Sequence, residues 1–447
     1  MKVVILGAGV SGINAAINAK KISSNSEVIL ISEKENIGYS PCALPYTLSN
    51  TIKRDRIFEF NKEFLEQLKI KLILGKKIKE ISTREKKVFL ENKEAISYDK
   101  LIIALGSTVF VPEIEDLKKI KFYTLKTIED FEELNERINW MLKNNKKKVL
   151  ILGAGFIGLE IAEALVKKKF EVKIIEIKNR ILPQMLDGEM SKIVLEELQR
   201  NNVEVKLNEK ILRIEQGRAF TNKGVYDFDT LIIATGVKPN IEIVKKSGIK
   251  TNIGIVVNDK LETSEKDVYA CGDCIEIKNK MTGNNCLIQL ANIALITSEI
   301  AVNNALSNNV IKLDSVIPNS ITKIFGLEIA SVGITEEEAK NNKIGVFSAL
   351  INAKTREEYS DGKEIIIKII SDSNEKIIGA QIIGKEYVAL RADLIALAIK
   401  KECKLKDLIY LENAYSPLTT PAIEPISIAS KYCLKKINAA RASSNGK

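Results

Sequence analysis

The sequence predicts an α/β fold made of one unit used twice, followed by a C-terminal α+β domain. Two copies of a glycine pattern predict the duplication, and a change of texture near Pro318 predicts the last domain. The first copy is Val3-Val4-Ile5-Leu6-Gly7-Ala8-Gly9-Val10-Ser11-Gly12. The second is Val149-Leu150-Ile151-Leu152-Gly153-Ala154-Gly155-Phe156-Ile157-Gly158. Each joins an apolar run of strand length to a GxGxxG turn and then to a helical pattern. In such a turn the first two glycines let backbone N–H groups approach a pyrophosphate, and the third lets the helix pack on its strand. An acid ends the next strand pattern in each copy, Glu33 after the first and Glu176 after the second. A carboxylate there can accept ribose hydroxyls, so two Rossmann-like units imply two bound dinucleotides.

Each unit closes on a strand-then-glycine segment, Leu101-Ile102-Ile103-Ala104-Leu105-Gly106 and Leu231-Ile232-Ile233-Ala234-Thr235-Gly236. From Gly7 to Gly106 is 99 residues and from Gly153 to Gly236 is 83, so the first unit carries 16 extra. Its segment Tyr39-Ser40-Pro41-Cys42-Ala43-Leu44-Pro45-Tyr46 has no counterpart in the second and reads as part of a functional insertion. A charged helical stretch at 127–143 leads into the second unit. A third glycine turn ends in Tyr269-Ala270-Cys271-Gly272-Asp273, aiming a carboxylate at a ribityl chain or at phosphate-linked hydroxyls. From Pro318 the chain turns to short β-patterned runs, such as 364–370 and 376–383, with a helix over 387–400. The tail at 438–447 reads as disordered.

Composition narrows the class. Hydrophobic content of 45% with 28% charged residues fits a globular protein. No apolar run approaches the roughly 18–20 residues of a membrane span. The glycines from Gly7 to Gly12 break the one run that could pass for a secretion signal. Six scattered cysteines are not a disulfide scaffold and favour a reducing, cytoplasmic setting. The net charge of +10 is spread along the chain without an arginine-rich or aromatic-interleaved patch, so no nucleic-acid or membrane partner is expected. It can attract anionic ligands instead. No metal is expected, and with no histidine any mechanism must proceed without imidazole.

Cys42 is the candidate nucleophile. Pro41 disfavours helix before it and Pro45 belongs in a helix's first turn, so a helix must begin close to Cys42. Unpaired N–H groups there should stabilise a thiolate and lower the thiol pKa. No second cysteine lies near, so its oxidised form must be a mixed disulfide, a persulfide or a sulfenic acid. Cys271-Gly272-Asp273-Cys274 has Cys-x-x-Cys spacing but sits inside the third glycine turn, where a redox role is not expected. Glu160 follows Gly158 by two residues on the second unit's helix and otherwise reads as an ordinary helix-face acid.

Taken together, residues 3–16, 149–165, 231–240 and 263–274, with the C-terminal domain, resemble the pyridine nucleotide–disulfide oxidoreductase family over essentially the whole chain. Cys-Ala-Leu-Pro-Tyr at 42–46 resembles its single-cysteine branch, which holds coenzyme A-disulfide and persulfide reductases and NADH oxidases and peroxidases. The resemblance implies an FAD-binding domain at 1–110 and 241–317, an NAD(P)H-binding domain at 111–240 and a dimerisation domain at 318–447. FAD would be held by Gly7, Ala8, Gly9, Ser11, Gly12, Glu33, Ala104, Gly106, Gly272 and Asp273. The nicotinamide nucleotide would be held by Gly153, Ala154, Gly155, Phe156, Ile157, Gly158, Glu176 and Gly236, with Glu160 facing the nicotinamide. Glu176 favours NADH, with NADPH possible because Lys178 and Arg180 lie close by.

The same resemblance implies a homodimer in which tyrosines replace the family's acid–base histidine. Tyr415, in Asn413-Ala414-Tyr415-Ser416-Pro417, matches one of them and Tyr359 approximately matches the other. A phenol can donate to a leaving thiolate. The histidine that oxidases and peroxidases of this branch carry in the first glycine turn is absent. The expected activity is therefore NAD(P)H-dependent reduction of a small disulfide or persulfide, of coenzyme A above all. NADH oxidation by oxygen and electron transfer to a protein such as rubredoxin are the alternatives.

Overall fold

The computed structural model describes residues 1–445. Its first sheet is parallel, in the order Val268–Ala270, Lys100–Ile103, Lys2–Leu6, Glu27–Ile31, Ile70–Ile73. Such a sheet is covered on both faces, so its strands read as unbroken apolar runs rather than alternating ones. Val3, Val4, Ile5 and Leu6 are accordingly all inaccessible to solvent. Helices Val10–Ile22 and Ala291–Leu306 pack against each other and against this sheet. The chain returns to it with Val268–Ala270 only after the second unit is complete, so segments far apart in sequence share one core.

The second sheet repeats the plan with strands Glu204–Lys206, Glu171–Ile175, Lys148–Leu152 and Thr230–Ile233, again all parallel. Each unit also carries a three-stranded antiparallel sheet before its closing strand, at Ile78–Ser82, Lys87–Leu90, Ala95–Ser97 and at Ile211–Glu215, Arg218–Thr221, Val225–Asp227. The units join where Ser107–Val109 pairs with Val237–Pro239, immediately after the two closing glycines. Helix Ile128–Lys143 packs into the core of the second unit. Thr127 caps it in a reciprocal box with Asp130, and Ile128, Phe131, Leu134, Ile138 and Met141 form its buried stripe.

The C-terminal domain is one antiparallel sheet, ordered Asn319–Ile324, Leu327–Gly333, Ile377–Gly384, Glu364–Asp372, Val346–Lys354. Helices Val388–Lys400 and Pro425–Asn445 lie over it. This domain is α+β as expected, but its tail is not disordered through 438–445. That stretch continues the last helix, whose Ile437 is buried and whose Arg441 binds Glu375 and the Ser373 carbonyl. Gly446 and Lys447 lie outside the described residues.

A buried ion cluster docks this domain on the second unit. Lys368 is 0% exposed, and its Nζ lies 2.8 Å from Asp187, 2.5 Å from Glu189 and 3.0 Å from Glu336. Asp187 also accepts from the Gln381 side chain at 2.6 Å. Among the described residues, no helix is long and apolar enough to cross a membrane.

Candidate active site

The glycine turns owe their shape to what lies behind them. Gly7 has φ +101°, and a Cβ on it would stand 2.2 Å from the Ala104 carbonyl oxygen. Gly153 has φ +106°, and its Cβ would stand 2.4 Å from the Ala234 oxygen. Each closing strand is thus the wall against which a turn is pressed, and this is how Ala104 and its counterpart enter the sites. A Cβ on Gly12 or Gly158 would likewise stand 1.7 or 2.1 Å from the Gly7 or Gly153 carbonyl oxygen. The middle glycines differ, because nothing lies within 4 Å of a Cβ on Gly9 or Gly155. That open side faces away from the wall, where a pyrophosphate can approach.

Gly9 and Gly155 are also the N-caps of helices Val10–Ile22 and Phe156–Lys167. Neither helix has a capping side chain or an acid in its first turn. Their first N–H groups are left for an anion, so the residues present fit two dinucleotides. Ala8 and Ala154 are buried in the turns, Ser11 is buried against Gly272, and Phe156 and Ile157 are half-buried at the second helix start.

The two ribose-side acids are held differently. Glu33 is exposed at the end of its strand. Glu176 is buried, and it accepts from the Ala154 N–H at 2.8 Å and the Lys178 N–H at 2.9 Å. Its charge is therefore fixed against the glycine turn itself. Arg180, which the sequence offered as a residue that could soften the NADH preference, lies close by. Its guanidinium binds the Leu186 and Pro183 carbonyls and pairs with Glu337, and so is committed elsewhere. Asp273 follows Gly272, which has φ +75°. It accepts from the Ser107 hydroxyl at 2.8 Å and lies 3.4 Å from Lys126 Nζ.

Cys42 sits in a 3₁₀ turn, Pro41–Ala43, that runs straight into helix Leu44–Leu48, close to the helix start expected. Leu44 and Leu48 are buried in the second unit's core, and this short helix packs on Phe156–Lys167. The packing brings Cys42 under the influence of Glu160, which the sequence placed 118 positions away. The thiol pKa moves opposite to expectation. Cys42 is exposed to solvent, yet protein crowds the sulfur and pushes it up, and the Glu160 and Asp273 carboxylates add to this. Lys126 opposes them without prevailing, and a three-residue 3₁₀ turn has too few aligned peptides to add the pull of a full helix N-terminus.

Glu160 is crowded more severely. Burial pushes its carboxyl up to about 7, against a hydroxyl from Thr322 at 2.6 Å and a hydrogen bond from Tyr46. Burial and the carboxylates of Glu160 and Glu163 push the Tyr46 phenol up to about 12. Tyr46, Thr322, Lys126 and Ser107 escaped the sequence reading. Tyr46 lay inside the segment singled out there, whereas Thr322 carried no local signal at all.

Cys271 and Cys274 are fully buried and unpaired. Burial pushes Cys274 up to about 11 and raises Cys271 well above the ordinary thiol range, and Cys274 Sγ bonds the Cys271 carbonyl. They are core residues beneath the glycine turn. Tyr359 and Tyr415 do meet, phenol to phenol, a contact that pushes Tyr359 up. They stand 76% and 54% exposed on the C-terminal domain. Gly106 and Gly236 have φ +65° and +94° where the chain leaves each closing strand.

Comparison with known proteins agrees with this geometry. Residues 1–295 match the model of the pyridine nucleotide-disulphide oxidoreductases, and residues 320–425 match the dimerisation domain of the same family. An NADH oxidase of Methanocaldococcus jannaschii is 33% identical over 98% of this chain and 100% of its own. A CoA-dependent NAD(P)H sulfur oxidoreductase of Pyrococcus furiosus is 33% identical over 96% of this chain and 98% of its own. The solved structure of an NAD-dependent persulfide reductase from A. fulgidus superposes with a TM-score of 0.94 at 28% identity, over 98% of this chain and 84% of that one. The chain belongs to the pyridine nucleotide-disulphide oxidoreductase family.

Proposed function

We propose that this protein is an FAD-dependent NAD(P)H oxidoreductase that reduces a small disulfide or persulfide, of coenzyme A, through Cys42. The observation that carries the proposal is the placement of one exposed thiol among Glu160, Lys126 and Asp273, on the insertion that only the first unit possesses. The cysteines of the third glycine turn are buried and out of reach. The P. furiosus relative is named for coenzyme A and the A. fulgidus neighbour for persulfide, which supports that substrate class.

Gly7, Gly9, Gly12, Glu33 and Asp273 would hold FAD, and Gly153, Gly155, Gly158 and Glu176 the nicotinamide nucleotide. Glu176, with Arg180 tied away, favours NADH over NADPH. When bound, the flavin supplies the two-electron chemistry that links the nicotinamide to sulfur. The Cys42 thiolate attacks one sulfur of the substrate disulfide, forming a mixed disulfide and expelling the other half as a thiolate. A phenol at Tyr415 or Tyr359 of the partner subunit gives that leaving thiolate its proton. Two electrons drawn from NAD(P)H return Cys42 to the thiolate and free the second half.

Cys42→Ser tests this. We expect coenzyme A-disulfide turnover to be lost while stopped-flow reduction of the flavin by NADH continues. Turnover at the parental rate would overturn the proposal. The M. jannaschii relative's name favours oxygen as a second acceptor. Oxygen consumption by the same variant then measures how much of it needs no thiol.

A further inference from the structure

One carboxylate gathers contacts from all three parts of the fold. Glu160 stands on helix Phe156–Lys167 of the second unit, yet both of its hydrogen bonds from side chains come from outside that unit. Tyr46 comes from the cysteine segment of the first unit. Thr322, only 4% exposed, comes from strand Asn319–Ile324 of the C-terminal domain. Tyr46 also lies against Thr322 and the Lys323 backbone, so both hydroxyls gather at the same carboxylate. Behind it lies a cavity of about 220 Å³ lined by Tyr46, Glu160, Glu163, Lys167 and Lys323. The titratable and charged groups packed around Glu160 are thus Glu163 and Lys167 on its own helix, Tyr46 and Cys42 on the facing segment, and Lys323 on the strand.

We propose that Tyr46 and Thr322 are positioning residues that keep Glu160 ionised and aimed at the nicotinamide site, so that the cysteine segment and the C-terminal domain jointly set the charge of that site. This rests on the reading that Glu160 faces the nicotinamide. Both hydroxyls donate to the charged form and favour it against burial, as hydrogen bonds to a carboxylate do. An oxidised nicotinamide ring is cationic and a reduced one is neutral, so an ionised Glu160 discriminates between them. Buried hydroxyl networks of this kind act as a unit, and removing one donor weakens the other.

The test measures the dissociation constant of NAD⁺ on the FAD-loaded protein across pH 5.5–9, by equilibrium titration without turnover. In the parent, binding should tighten as pH rises through the Glu160 transition. Thr322→Val should move that midpoint up by about one pH unit, the tenfold change in proton affinity that losing one strong donor brings. Thr322→Ser should restore the parental midpoint. Glu160→Gln should give a flat profile. Parental midpoints in both Thr322 variants, with a flat Glu160→Gln profile, would overturn this inference and leave the reading of Glu160 intact. An unchanged pH dependence in Glu160→Gln would overturn the reading of Glu160 itself. Should Thr322→Val not fold, Tyr46→Phe serves instead. Infrared titration of the Glu160 carboxyl band, assigned by difference from Glu160→Gln, reads the same midpoint directly, and a parental midpoint there overturns the inference.

Discussion

Glu160 shows what a single buried carboxyl costs. Its folded-state value of about 7 lies above the ordinary 4.5. A carboxyl raised in this way lends stability that is fully present below its unfolded pKa and is lost as pH climbs through its folded one. The loss therefore falls between about pH 4.5 and 7 and amounts to roughly 3 kcal/mol at the upper end. Glu160→Gln should escape it. In urea titrations the variant should gain on the parent from pH 5 to about pH 7 and then level off, and a constant difference across that range would contradict the burial argument. The sequence made Glu160 and Cys42 legible because each sits in a local pattern, two residues past a glycine turn and between two prolines. Thr322 was illegible because nothing around it in sequence marks it, and its partner is 162 positions away. The direction of the Cys42 shift was misread for a related reason. The helix terminus is local, but burial of the sulfur, and after it the Glu160 carboxylate of the second unit, outweigh it only once the chain has packed.

At the scale of elements, the glycine turns divide into residues pressed on a wall and residues facing open space. The division makes two substitutions behave differently. Gly153→Ala forces an L-residue to φ +106° and a Cβ to 2.4 Å from a carbonyl, so it should destabilise the fold by about 2 kcal/mol or more. Gly155 has φ −82° and ψ −172°, which any residue adopts, and no neighbour within 4 Å. Gly155→Val should unfold within about 0.5 kcal/mol of the parent yet bind NADH at least tenfold more weakly, because its side chain fills the phosphate approach. Calorimetry and NADH titration of both variants check this, and undiminished NADH binding by Gly155→Val would remove the pyrophosphate from that side. The parallel strands were legible as apolar runs such as Val3 to Leu6, whose burial on both faces suppresses alternation. The small antiparallel sheets at 78–97 and 211–227 were not, being short, polar on one side and fixed by pairing rather than by propensity.

For the whole molecule, the decisive contacts join units that the sequence shows only singly. Lys368 lies in an isoleucine-rich strand that reads as pure core, and its three carboxylate partners are supplied by the second unit and by the helix at Glu336–Asn341. Removing Lys368 takes the cation from the buried Asp187 carboxylate, whereas Glu189 and Glu336 remain partly open to water. Lys368→Met should therefore cost about 3–5 kcal/mol in denaturant unfolding. It should also loosen the docking of the C-terminal domain, seen as faster amide exchange at residues 336–341. A variant as stable as the parent would show that the cluster is not what holds the two units together.

Assembly is the last property that single-chain geometry leaves exposed. Tyr359 and Tyr415 are bonded to each other on the C-terminal domain, and Tyr410, Leu418 and Ile423 beside them in sequence are 77%, 72% and 64% exposed. Large apolar side chains gathered on one domain call for a partner surface. Residues 320–425 match a dimerisation domain, so that surface is best supplied by a second copy. A two-fold dimer makes each contact twice, and it would carry each tyrosine pair to the Cys42 site of the other chain. Mixed dimers of a Cys42→Ser chain with a Tyr415→Phe chain decide whether the site is shared. In a shared arrangement, one of the two sites unites an intact Cys42 with an intact Tyr415, and the other collects both lesions. Activity toward coenzyme A disulfide should then recover to about half the parental level per dimer, well above either homodimeric variant. If each chain served its own site, every site in the mixed dimer would carry one lesion and no recovery could occur. A monomeric protein in sedimentation, or a mixed dimer no more active than its parents, would therefore rule out a site shared between chains, and parental activity of the Tyr415→Phe homodimer would place that tyrosine outside the chemistry.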